Sequence, residues 1–194
     1  MPQICYNVES VLKPAHPADP VSLRSYVLTA FFAAVAAAGG YLLMAVPNVE
    51  VFTLFLFLAG YSVGAWRGAI AAFAASILYF GLNPQGGLYP PLLISQILGA
   101  VLAPLAGSLF RKNSRRGWAT AILCGLAGVL ATFGYDLITN LAYPFSAGFG
   151  MEQIIATLVL GLPFALVHIA SNLLIFLLLA PSLLNLADKH HWRA

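Results

Sequence analysis

Nine Lys and Arg against six Asp and Glu give this 194-residue chain a formal net charge of +3, yet only 8% of its residues are charged and 61% are hydrophobic. A soluble domain carries about 25% charged residues, so the chain cannot cover a soluble surface and reads as an integral membrane protein of one domain. The basic excess is too small to argue for nucleic acid, and the two cysteines, Cys5 and Cys124, form neither a disulfide framework nor a CxxC metal spacing.

Residues 1–22 are polar, proline-containing and of mixed charge, and form a tail or a short surface helix around Val8 to Leu12. A secretory signal needs a basic head followed directly by an apolar run, and none is expected here. A membrane-spanning helix needs about 20 apolar residues. The first span is Ser25 to Val46, ended by Pro47. A short second span, Val51 to Gly64, leads to a tight turn at Trp66-Arg67-Gly68, and a short third covers Ala69 to Leu82. The loop Asn83 to Pro91 follows, then a fourth span, Leu92 to Phe110. After the basic loop Arg111 to Trp118 come a fifth span, Ala119 to Leu141, and a loop holding Pro144, Gly148 and Gly150. The sixth span, Gln153 to Leu179, contains Pro163 and is ended by Pro181. The expected fold is all-α: a polar tail over 1–22, a six-helix membrane domain over 23–182, and a cytoplasmic tail over 183–194.

Charge tests the count. Reading the second and third spans as one would give five and leave Arg67 inside the bilayer, at a cost of about 2.5–3.5 kcal/mol. With six, Lys13, Arg24, Arg67, Arg111, Lys112, Arg115, Arg116, Lys189 and Arg193 all fall on one side. That is a positive-inside pattern with both termini cytoplasmic.

Polar residues gather at the opposite side. Glu50 opens the second helix, and Gln96 lies a turn inside the fourth. Asp136 and Asn140 share a face of the fifth, and His168 and Asn172 repeat that spacing deeper in the sixth. Such groups line a cavity or satisfy one another. One reading is an outward pocket built from Glu50, Gln96, Asp136, Asn140 and His168; the other is mutual hydrogen bonding or headgroup water. Acidic residues there hint at a cationic substrate, although the positive-inside bias leaves acids outside by default. Tyr79, Phe80, Tyr89, Tyr135 and Tyr143 could stack on a ring or form the interfacial aromatic belt.

Two sets of small residues allow close helix approach: Ala30, Ala34 and Ala38 in the first helix, and Gly60, Gly64, Gly68 and Ala72 across the proposed turn. Each is either internal packing or a docking face. Walker A and HExxH sequences are absent. Ser171, three residues from His168, is better placed to bond backbone than to act as a nucleophile.

Taken together, six spans with both ends inside, the stripe Ala30-Ala34-Ala38, the break Pro47-Asn48-Val49-Glu50, the glycine-rich turn into Gly64 to Ala75 with the loop Asn83-Pro84-Gln85-Gly86-Gly87, and the pairs Asp136-Asn140 and His168-Asn172 give a chain that resembles the S component, the substrate-binding membrane subunit, of energy-coupling factor (ECF) transporters. The resemblance covers about residues 25 to 182. It implies a non-catalytic subunit in the cytoplasmic membrane of a prokaryote that binds a vitamin or related micronutrient from outside. A transmembrane T component and two cytoplasmic ATPases would drive uptake, with no cofactor on this chain. It places Asn48, Glu50, Asn83 and Gln85 near the substrate and assigns T-component docking to Ala30, Ala34 and Ala38. Nickel and cobalt S components carry a histidine just after the initiator Met; Pro2-Gln3-Ile4 stand here, so metal transport is not expected. Riboflavin, thiamin, cobalamin and queuosine-type precursors stay open. The alternatives are a proton-coupled secondary transporter using Asp136 and His168, and a membrane scaffold of the cell-shape type.

Overall fold

The computed structural model describes residues 20–84, 88–111 and 117–193. The helices among them are α1 (Pro20–Leu42), α2 (Phe52–Gly81), α3 (Pro90–Ala100), α4 (Leu102–Phe110), α5 (Trp118–Ser146) and α6 (Met151–Lys189). No strand occurs among the described residues. Taking α3 and α4 as one length of chain, five segments are long and apolar enough to cross a membrane. Large apolar side chains such as Leu130, Leu160 and Leu178 lie about 70% exposed, a surface suited to lipid and not to water.

α2 is not a straight rod. Gly64 has φ 86° and ψ 172°, a conformation essentially confined to glycine, and the chain folds back there. The ring of Phe52, at one end of α2, lies 5.4 Å from those of Tyr79 and Phe80 at the other. A Cβ on Gly68 would stand 2.9 Å from the Gly60 Cα. The two halves, 52–63 and 65–81, are therefore antiparallel and in contact. The reversal falls at Gly64, before the Trp66-Arg67-Gly68 position read from the sequence. Gly64 can take the turn because it has no Cβ, whereas 65–68 already belong to the returning half.

Close approach also sets the centre of the bundle. A Cβ on Gly107 would sit 1.9 Å from the Phe57 carbonyl oxygen, and one on Gly60 would sit 1.9 Å from that of Pro104. α4 thus lies directly on the α2 backbone. The set Gly60, Gly68 and Ala72 is internal packing, being buried among Leu54, Leu56, Phe57, Ala103 and Phe176. Ala30, Ala34 and Ala38 instead face outward on α1, while Phe32, Ala33, Ala36 and Ala37 face the core.

Prolines act differently from the sequence expectation. α1 stops at Leu42, ahead of Pro47, after the weak helix formers Gly39 and Gly40. Pro104 has no N–H to return to Ala100, and the helix breaks at Val101. Pro144 and Pro181 do not end their helices: α5 runs to Ser146 and α6 to Lys189. Leu184 and Ala187 of that extension join the core, so much of the segment read as a tail from residue 183 is helix. Membrane helices tolerate such prolines because neighbouring groups take up the freed carbonyls.

The described Arg residues gather at one end. Arg193 bonds the Tyr61 hydroxyl and the Arg111 carbonyl, Arg24 bonds the His191 carbonyl, and Arg67 lies over the Tyr26 ring. The two described chain ends and the fold-back of α2 therefore share one end of the bundle.

Candidate functional site

The opposite end holds the chain's break. Residues 43–51 between α1 and α2 are non-helical. Asn48 adopts φ 60°, a left-handed conformation that asparagine tolerates better than most residues. Its carbonyl accepts a hydrogen bond from the Ser171 hydroxyl at 2.7 Å, and the same hydroxyl lies 3.0 Å from the His168 carbonyl. Ser171 therefore fastens the break to α6 through backbone bonds. Glu50 Oε2 accepts the Thr53 N–H at 2.8 Å. The carboxylate thus satisfies a free amide at the start of α2, where the helix dipole favours negative charge.

This anchoring turns Glu50 inward. Its Oε1 accepts from Asn172 Nδ2 at 3.1 Å and stands 3.4 Å from His168 Nε2. The other ring nitrogen of His168, Nδ1, stands 2.8 Å from Asp136 Oδ1. One imidazole thus bridges two carboxylates contributed by the break and by α5. A neutral imidazole has a single N–H, so both contacts are hydrogen bonds only if a second proton resides in the cluster, on the ring or on a carboxyl.

A cavity of about 380 Å³ opens beside this bridge. Asn48, Glu50, Asn83, Gln96, Asp136, Asn140 and His168 all line it. Asn172 does not. It is fully buried behind Glu50 and orients that carboxylate. Gln85 lies outside the described residues.

The chain matches no protein-family model, no curated protein and no solved structure.

The aromatic residues divide. Tyr79, Phe80 and Tyr135 are walls of the cavity together with Phe52, whereas Tyr143 is 57% exposed at the rim. Phe80 and Tyr135 lie near-parallel at 27° with centroids 6.2 Å apart, and Tyr135 meets His168 edge-on at 6.0 Å. The belt reading therefore does not describe these three; Tyr135 adjoins Asp136 and shares a helix face with Thr139, another lining residue. Thr53 and Thr139 were missed, since threonine is common in membrane helices and carries no pattern of its own.

Chemically, the site is a small, partly apolar chamber with converging polar groups, the usual form of a small-molecule pocket. Its volume stands at the low end of such sites, which run from about 300 to 1,000 Å³.

Proposed function

We propose that the protein is the substrate-binding membrane subunit, the S component, of an ECF-type importer. In this reading a vitamin-like micronutrient enters at the break end and is held by the cavity residues. A T component docks on α1, and two ATPases in the cytoplasm supply the energy. The chain itself catalyses nothing and resides in the cytoplasmic membrane of a prokaryote.

The observation that carries the reading is the cavity of about 380 Å³ walled by the chain's own break, with Glu50, Asp136 and His168 converging on it. Further support comes from the exposure of Ala30, Ala34 and Ala38 on α1, as a docking face requires and an internal packing face does not. The fold-back at Gly64 supports six passes. The first half of α2, 52–63, is about 18 Å long at 1.5 Å per residue, shorter than a bilayer core of about 30 Å. The break over 43–51 would complete that pass, and irregular backbone is tolerated at membrane depth where it lines a cavity. Gathering of the described Arg and Lys at the other end supports cytoplasmic termini by the positive-inside rule. Among the vitamins compatible with the resemblance, a corrinoid is too large for a cavity of about 380 Å³, and riboflavin, thiamin and queuosine-type precursors remain.

Mass spectrometry of small molecules co-purifying with the chain tests the reading, and a protein free of any ligand would count against it. Ala34→Leu is expected to abolish uptake by the assembled importer while binding by the purified chain persists. Loss of both would make the stripe a packing face.

The imidazole bridge favours a second reading, a proton-coupled carrier, because it stores a proton in the cavity wall. Uptake driven by a proton gradient in vesicles lacking an ATPase would select it.

A further inference from the structure

We propose that the cavity takes a small planar organic cation whose polar edge donates N–H hydrogen bonds, and that it excludes carboxylates and phosphates. This deepens the reading of the cavity as a substrate site and rests on it.

Charge is the first ground. Glu50 and Asp136 line the cavity, and no described Lys or Arg does. The described Arg residues are occupied at the far end of the bundle. The one lining group able to carry positive charge, His168, is already shared between the two carboxylates at 3.4 and 2.8 Å. With the ring charged and both acids ionised, the cluster still carries one net negative charge. An anionic ligand would meet that charge in a low-dielectric chamber with no counter-ion, and a buried unpaired charge is strongly unfavourable.

Donor and acceptor capacity is the second ground, independent of net charge. Some donors around the cavity are spent on the protein itself. The Thr139 hydroxyl donates to the Tyr135 carbonyl at 2.9 Å, and the Asn140 amide donates to the Asp136 carbonyl at 2.8 Å. Acceptor capacity remains on the two carboxylates, whose side chains are 15% exposed for Glu50 and 13% for Asp136. Each carboxylate oxygen has two lone pairs, and a ligand N–H aimed at either group would take one.

Shape is the third ground. Phe80 and Tyr135 present near-parallel rings, and Tyr79 stands beside Phe80 at 4.7 Å. Such π faces attract flat cations more than flat anions. The cation in question is organic, because both nitrogens of His168 are engaged and no group of three metal-ligating side chains forms among the described residues.

Benzamidine, benzamide and benzoate share one planar frame and differ in charge and donor count. Their binding to the purified full-length chain in nanodiscs, read by ligand-observed NMR and thermal shift, tests the proposal. Benzamidine is expected to bind at least about tenfold tighter than benzamide, as a charge-assisted hydrogen bond predicts, and benzoate not to bind. Asp136→Asn and, separately, Glu50→Gln should each shrink the preference for benzamidine over benzamide by about tenfold. If either variant fails to fold, the ranking on the unaltered chain decides alone. Benzoate binding as tightly as benzamidine would overturn the proposal. A co-purifying anionic ligand would overturn the charge class while sparing the substrate-site reading. No binding of any of the three, with no co-purifying molecule, would defeat both.

Discussion

The two ends of the helix bundle use charge in opposite ways. At the basic end, charges close on one another. Arg193 pairs with Asp188 at 2.7 Å and bonds the Tyr61 hydroxyl, which itself donates to Asp188 at 2.6 Å. Burial works against the Arg193 charge, but the Tyr61 bond and Asp188 hold its guanidinium above its ordinary value. Burial and the nearby Arg193 and Arg67 push Arg111 the other way. Trp192 packs on Phe31 and Phe32 with centroids 6.5 and 6.4 Å away. At the break end, Glu50, His168 and Asp136 also bond one another, but they do so around a cavity. A cluster packed against the protein on all sides holds a fold together. One built around a void has a face left for a ligand.

Both ends depend on the same central contact, so the largest expected effect comes from severing it. Gly107→Leu drives a side chain into the Phe57 backbone and should cost more than about 4 kcal/mol, seen as loss of a monodisperse, helical protein in detergent. His168→Ala acts at the break end alone. It leaves two carboxylates buried without their bridge, for which about 3–5 kcal/mol is expected, read as a lowered melting temperature together with lost ligand binding. Arg193→Ala acts at the basic end alone. Both partners are about one-third exposed, so a loss of about 1 kcal/mol is expected, with ligand affinity unchanged. Equal effects of these two variants on ligand binding would dissolve the contrast between the ends.

Much of the candidate site was legible because membrane helices make polar residues conspicuous. Asp136 with Asn140 and His168 with Asn172 stood out by their four-residue spacing, and Glu50 by its place beside Pro47. Less legible was which partner each would find. Asn172 has the same spacing from His168 as Asn140 has from Asp136, yet it supports Glu50 from behind instead of lining the cavity. Tyr79, Phe80 and Tyr135 could not be told from belt aromatics, because depth in the bundle is not written in a residue's type. Pro181 looked like a terminator, and only the packing of Leu184 and Ala187 keeps α6 going beyond it.

By itself, the sequence determined the medium and the helical class. Hydrophobic content and charge placement answer directly to the bilayer, which acts on each residue separately. Tertiary structure alone decided that the chain reverses at Gly64, that Gly107 and Gly60 let α2 and α4 touch, and that one imidazole joins carboxylates from two distant segments. Those are properties of pairs of residues far apart in the chain, fixed by how closely backbones can approach and which groups are left to satisfy one another away from water.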